Sequence, residues 1–297
     1  MNHNKFVGIF CAAIAAVTYG MNPFFGLPLY QEGLSPFSVL FYRFFLAAIL
    51  MGIVTALRKS SFFLPRECRI PAAAAGVIMA LTCAFWFLTF RIMDSGISAA
   101  LLFVYPVMVA LIMAIFFKEK PGKAIIAGII LAVAGAVIIC YPGSGAKINT
   151  PGLIYIMLSA LTYAVYIVMV RKSSLHKLAP ETLTFYAMLF SLPVFLLFLR
   201  GGADLQMLPS LKALGNALGL ALFPSVLSFL MAAVAIRNIC ATPTAIFGAL
   251  EPVTAVFIGV CIFHEAITVK IVAGVTLILA VVVIVICSTS SPKQKSS

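Results

Sequence analysis

The sequence predicts an all-α integral membrane protein: ten transmembrane helices arranged as two inverted five-helix repeats around a central cavity. Three observations lead there. Of 297 residues, 63% are hydrophobic and 9% charged, and mean hydropathy is +1.16. Soluble domains are roughly half apolar and about a quarter charged. Ten runs of roughly 20 apolar residues can be read, long enough for a helix rising about 1.5 Å per residue to cross a hydrocarbon layer of about 30 Å with its backbone satisfied. Finally, positions 85–141 lie on 231–287 without a gap, placing Arg91 on Arg237, Pro106 on Pro252, Glu119 on Glu265 and Gly128 on Gly274.

The runs of the first half extend over 6–24, 36–57, 70–90, 97–117 and 123–141, and those of the second over 152–170, 180–199, 212–236, 240–263 and 268–287. The first begins after Lys5 and could pass for a signal peptide, but its match to the retained segment after Thr150 argues against cleavage. Short connections such as SSFFLPRECRIP, FKEKPGK, YPGSGAKINTPG, RKSSLHKLAP and RGGADLQMLPS, rich in Pro, Gly and charge, punctuate the runs. The ungapped match of 57 positions holds 14 identities, and because most are aliphatic the charged residues and prolines fix the register. An offset of 144 continues it through the front halves, with Gly8 on Gly152, Ala16 on Ala160, Thr18 on Thr162, Tyr19 on Tyr163, Pro36 on Pro180 and Tyr42 on Tyr186. The expected units are a first repeat over 1–145, a second over 146–288, and a disordered, Ser- and Lys-rich cytoplasmic tail over 289–297.

A net charge of +12 would suggest nucleic acid in a soluble protein, but membrane sidedness accounts for it here. With the N-terminus inside, fourteen Lys and Arg residues fall on the cytoplasmic side, five fall outside, and Arg43 lies within the second run. That bias favours cytoplasmic termini in a cell (inner or plasma) membrane. The seven cysteines have no CxxC or ligand-like spacing and read as small core hydrophobes. No cofactor, metal or nucleic-acid partner is expected; the expected partners are a small-molecule substrate and membrane lipid, with the chain a monomer and a dimer left open.

Five spans per repeat is an odd number, so the second copy enters the membrane from the opposite side. Inverted repeats that rock against each other are a usual construction of secondary transporters, with the binding site between the repeats and paired helix interruptions beside it. Pro106 and Pro252, mid-span in the fourth and ninth runs, mark such interruptions, although proline also merely kinks helices.

The segments ending at Glu119 and Glu265, each with a mid-helix proline 13 residues earlier and a glycine nine residues later, resemble the EamA-type repeat of the drug/metabolite transporter superfamily. FYRFFLAAIL in the second run and LSALTYAVYIVMVRK in the sixth are similar to the same family. The first run departs from it, reading VTYGMNPFF where many members carry a tryptophan before the glycine. The resemblance implies ten helices, both ends cytoplasmic, a cavity between the halves, and alternating-access export or exchange of small metabolites such as amino acids.

Glu251 is the only acid deep within an apolar run, about 11 residues from either end and hence roughly 17 Å deep. At a cost of about 2.5 kcal/mol or more, it should face the cavity, find a partner, or carry a proton for part of a cycle; capping the half-helix that begins at Pro252 is the structural alternative. Its counterpart is Tyr105. Arg43, whose counterpart is Ala187, could snorkel to the interface, pair with Glu251, or grip a substrate carboxylate. Tyr19 and Asn22 against Tyr163 and Tyr166, with Thr82, Trp86 and Phe90 on one helical face, Tyr105 and Phe247, would form an aromatic pocket with a few polar handles, unless they simply pack. Glu119 and Glu265 read as hairpin caps, and Gly215 with Gly219 as a close-packing GxxxG motif.

A channel or a lipid flippase on the same fold remains a rival. A membrane-embedded enzyme has no HExxH, GxSxG or Walker motif to support it, and His3, His176 and His264 are scattered.

Overall fold

A computed structural model describes residues 3–118, 123–140, 149–239 and 250–264, together with 243–244, 247–248, 268–270, 272–274, 276–277 and 280. Every regular element among them is helical, and seven stretches are long and apolar enough to cross a membrane. The chain is a multi-pass membrane protein. Glu119, Glu265 and the tail 289–297 lie outside the described residues, as does most of the run 268–287.

The first predicted run, 6–24, continues further than expected. α1 (His3–Gly20) passes into α2 (Asn22–Gln31) through a single turn residue, Met21, giving an apolar stretch of 28 residues. Pro23 does not end it, because in the first turn of α2 its missing N–H costs no helical bond. Asn22 Nδ2 donates to the Tyr19 carbonyl at 2.6 Å and bridges the joint. α3 (Pro36–Leu57) coincides with its predicted span; Ser35 caps it by accepting from the Ser38 N–H, with Pro36 at the first position. α4 (Arg66–Thr89) follows.

The fourth span is two helices. α5 (Ser95–Leu102) and α6 (Tyr105–Phe117) are separated by Phe103 and Val104, whose N–H groups close tight turns onto Ala100 and Leu101 at 3.2 and 3.1 Å. The interruption precedes Pro106, which occupies the first turn of α6. α7 (Lys123–Cys140), α8 (Thr150–Lys172) and α9 (Pro180–Phe198) come next.

α10 (Leu211–Ala221) and α11 (Ser228–Ile239) are joined by a wide π turn over Leu222–Leu227. Pro224 explains the widening. It has no N–H for the Leu220 carbonyl, which accepts instead from Ser225 Oγ at 3.0 Å. Finally α12 (Leu250–Phe263) begins two residues before Pro252, after a turn at Gly248.

α1 packs along α11 and α8 along α4; α3 lies on α9, α10 on α3, α9 on α4, α5 on α12 and α6 on α8. Small residues permit the close approaches, as expected where lipid tails are as apolar as leucine. A Cβ at Gly8 would lie 2.7 Å from Ile239 Cγ2, one at Gly152 would collide with Met93, and one at Gly20 would lie 2.5 Å from the Glu251 carbonyl. Interhelical hydroxyls reinforce the contacts, Ser228 Oγ donating to Ala15 O at 2.9 Å and Ser159 Oγ to Thr82 O at 2.8 Å. Half of the GxxxG motif acts as read: a Cβ at Gly219 would strike the Phe25 ring, whereas Gly215 faces open space. Cys11, Cys68 and Cys83 are buried; Cys261 is exposed, against its reading as a core residue.

Candidate functional site

Where α1, α8, α11 and the break before α12 meet, Tyr19, Tyr105, Tyr163, Tyr166, Phe229 and Glu251 line a cavity of about 30 Å³. That volume holds about two water molecules. The rings close on one another: Tyr19 stacks on Tyr163 with centroids 5.8 Å apart, and Tyr105 meets Tyr163 edge-on at 4.7 Å. Glu251 lies in the first turn of α12, near the positive end of that half-helix. It is 2% exposed, and its Oε1 has no hydrogen-bond partner.

The cavity shares Val170, Ala233 and Ile236 with a second space of about 110 Å³, which is bordered by Arg171, His176 and Arg237. The central chamber therefore backs onto a basic vestibule at the end of α8 and α11 predicted to face the cytoplasm.

Arg43 does not snorkel; it is fully buried. Nor does it pair with Glu251. Its Nε donates to Ser225 Oγ at 2.6 Å and its Nη2 to the Pro224 carbonyl at 3.2 Å, both on the π turn. Its Cζ lies 5.9 Å from the Tyr19 ring centroid and 5.4 Å from those of Phe44 and Phe87. Cation–π contacts at such distances contribute about 0.5–2 kcal/mol each depending on desolvation. They do not satisfy Nη1, which has no partner.

The remaining predicted residues divide. Trp86 is buried outside the cavity lining and stacks on Tyr19 at 5.1 Å, with Phe90 against its edge at 5.5 Å. Asn22 sits at the α1–α2 joint. Thr82 is spent on helix packing, its Oγ1 donating to the Ile78 carbonyl and bonded to Thr162 Oγ1, both at 2.9 Å. Phe247 is buried but does not line the cavity, whereas its neighbours Thr244 and Gly248 do.

Sequence reasoning missed Phe229, Ser225 and Pro224. Their counterparts precede Phe85, where the ungapped register begins, so the repeat carries no signal for them.

A family model described as the EamA-like transporter family matches residues 6–141 and again 150–287. An uncharacterized transporter of Archaeoglobus fulgidus is 27% identical over 260 residues, covering 85% of this chain and 89% of its own. The uncharacterized transporter YetK of Bacillus subtilis is 29% identical over 179 residues, covering 58% of this chain and 53% of its own. A solved crystal structure superposes with a TM-score of 0.77 at 15% identity, over 97% of this chain and 100% of its own, a likeness of fold.

Proposed function

Because the chain belongs to the EamA-like transporter family of the drug/metabolite transporter superfamily, we propose that it carries a small organic metabolite, an amino acid or similar amphipathic solute, by alternating access. The ten helices act as two inverted repeats, the transporter works as an exporter or exchanger in the cell membrane, and both termini face the cytoplasm. Cargo is held by the tyrosine-lined cavity and Glu251.

The observation that carries this reading is the stacking of Tyr19 on Tyr163, equivalent residues of the two copies, in the wall of one cavity. Equivalent parts facing each other are what a two-fold relation produces. Further contacts exchange in the same way. Gly8 against Ile239 corresponds to Gly152 against Met93, and the Ser228–Ala15 hydrogen bond occupies the positions of the Thr82–Ser159 bond. A chamber with room for about two waters suits a closed state that must widen to admit cargo.

The experiment is counterflow in proteoliposomes, with unlabelled solute inside and a trace of labelled solute outside, across a panel of amino acids and related metabolites. A carrier gives transient, saturable accumulation of label for at least one solute. Linear, unsaturable flux indicates a channel, and exchange confined to lipid indicates a flippase; either result ends the reading.

A further inference from the structure

Arg43 is a buried cation whose contacts are all neutral. Ser225 Oγ and the Pro224 carbonyl take two of its donors, and three aromatic rings surround its guanidinium. Nη1 is left unpartnered, and so are the Tyr19 hydroxyl and Trp86 Nε1 on the neighbouring rings. Two of these are N–H donors and the third is a hydroxyl able to donate, and a charge-assisted bond from guanidinium to an anionic oxygen is the strongest way to complete such a set. Among the described residues no acid pairs with Arg43, Glu251 included. Tyr19 belongs to both places: its ring stands beside the guanidinium and also lines the cavity.

We propose that Arg43 is the carboxylate-binding residue of the cargo site, and that the transported solute therefore carries a carboxylate. On widening of the cavity past Tyr19, one carboxylate oxygen takes the Arg43 Nη1 donor, with Trp86 Nε1–H and the Tyr19 hydroxyl beside it. Asn22 Oδ1, also buried without a partner, is an acceptor and suits an N–H or O–H elsewhere on the solute. The second copy has Ala187 at the corresponding position, so each chain holds one carboxylate. The inference rests on the transport reading and deepens it.

Trp86 is the only tryptophan, so its emission reports this place without a label. Purified protein in nanodiscs is titrated with acid and amide pairs (acetate and acetamide, L-leucine and L-leucinamide, L-phenylalanine and L-phenylalaninamide) and with chloride. The expected result is that at least one acid changes Trp86 emission at a concentration ten or more times below that needed for its amide. R43Q should abolish that preference, and R43K should keep part of it. If R43Q does not yield monodisperse protein, the acid-to-amide ratio in R43K against the unmodified chain decides, and an unchanged ratio overturns the proposal. Equal responses to acid and amide, no response to any acid, a preference that survives R43Q, or a full response to chloride alone each overturn it. Counterflow separates this failure from that of the transport reading. A solute without a carboxylate carried equally well by R43Q sinks the carboxylate role and leaves transport standing, whereas absence of counterflow for every solute sinks transport while the fluorescence ratios still report the site.

Discussion

Where α3 meets α10 and the π turn, Arg43 is buried against Ser225 and Pro224; in the corresponding pair, α9 and α4, the matching position is Ala187, and an offset of 144 or 146 puts only Ile78, Met79, Ala80 and Leu81, none with a polar side chain, in the places of Pro224 and Ser225. α4 also runs without a π turn. The glycine contacts and the hydroxyl bonds have counterparts in both copies and the tyrosine stack joins equivalent residues, but the two buried charged residues, Arg43 and Glu251, have none, Ala187 and Tyr105 standing in their places. Packing that holds two like bundles together constrains both copies alike. A buried charge needs particular acceptors, and Ser225 and Pro224 supply them to Arg43 in one copy.

The largest test of this contrast is Ala187→Arg. It places a cation at a position that is 1% exposed and lacks the Ser225 and Pro224 acceptors of Arg43, and leaving a buried charge uncompensated costs about 3–5 kcal/mol. Folded yield and thermal stability should fall sharply, and retention of both would show that the acceptors are not what distinguishes the copies.

Glu251→Gln comes next, because its counterpart Tyr105 cannot supply the same proton. If Glu251 couples transport to protons, a rate that changes up to about tenfold per pH unit, equivalent to about 1.4 kcal/mol, should become flat in counterflow with and without a pH gradient. The groups around the cavity, Tyr19, Tyr105 and Tyr163, remain in the variant, as does Arg43, and an unchanged pH profile removes Glu251 from coupling. Ser225→Ala deletes the acceptor for Arg43 Nε and should lower stability by about 1.5–3 kcal/mol, the range for hydrogen bonds to charged groups; chemical denaturation in detergent reads it. The smallest effect belongs to Gly215→Ala, which meets no atom within 4 Å and should change stability by no more than about 1 kcal/mol, in the favourable direction.

How far the sequence reached depended on whether a feature is local. The second run is bounded by Pro36, and its predicted span agrees with α3 because N-terminal proline and Ser35 form a local signal. The first run reads as 6–24 from its apolar content, and the continuation of the helix to Gln31 rests on a joint at Met21 bridged by the Asn22 bond to Tyr19, which has no counterpart in the apolar pattern. Tyr19, Tyr105, Tyr163, Tyr166 and Glu251 could be grouped from position in the repeat. Helical spacing alone groups Thr82 with them, and spacing cannot tell a cavity face from one occupied by Thr162 of α8. Arg43 admits three roles from sequence, because its protein partners lie more than 180 residues away on a turn whose irregular hydrogen bonding leaves no periodic trace.

The π turn has one more consequence, for the lengths of the copies. The register changes from 144 to 146 between Tyr42 and Phe85, so the later copy contains two additional residues in a stretch that includes Leu222–Leu227. A ring closed from i to i+5 takes up one residue more than an α-helical ring. The turn therefore stores part of an insertion within the span and keeps the residues beyond it in phase, so that Ser228 still addresses α1 as Thr82 addresses α8.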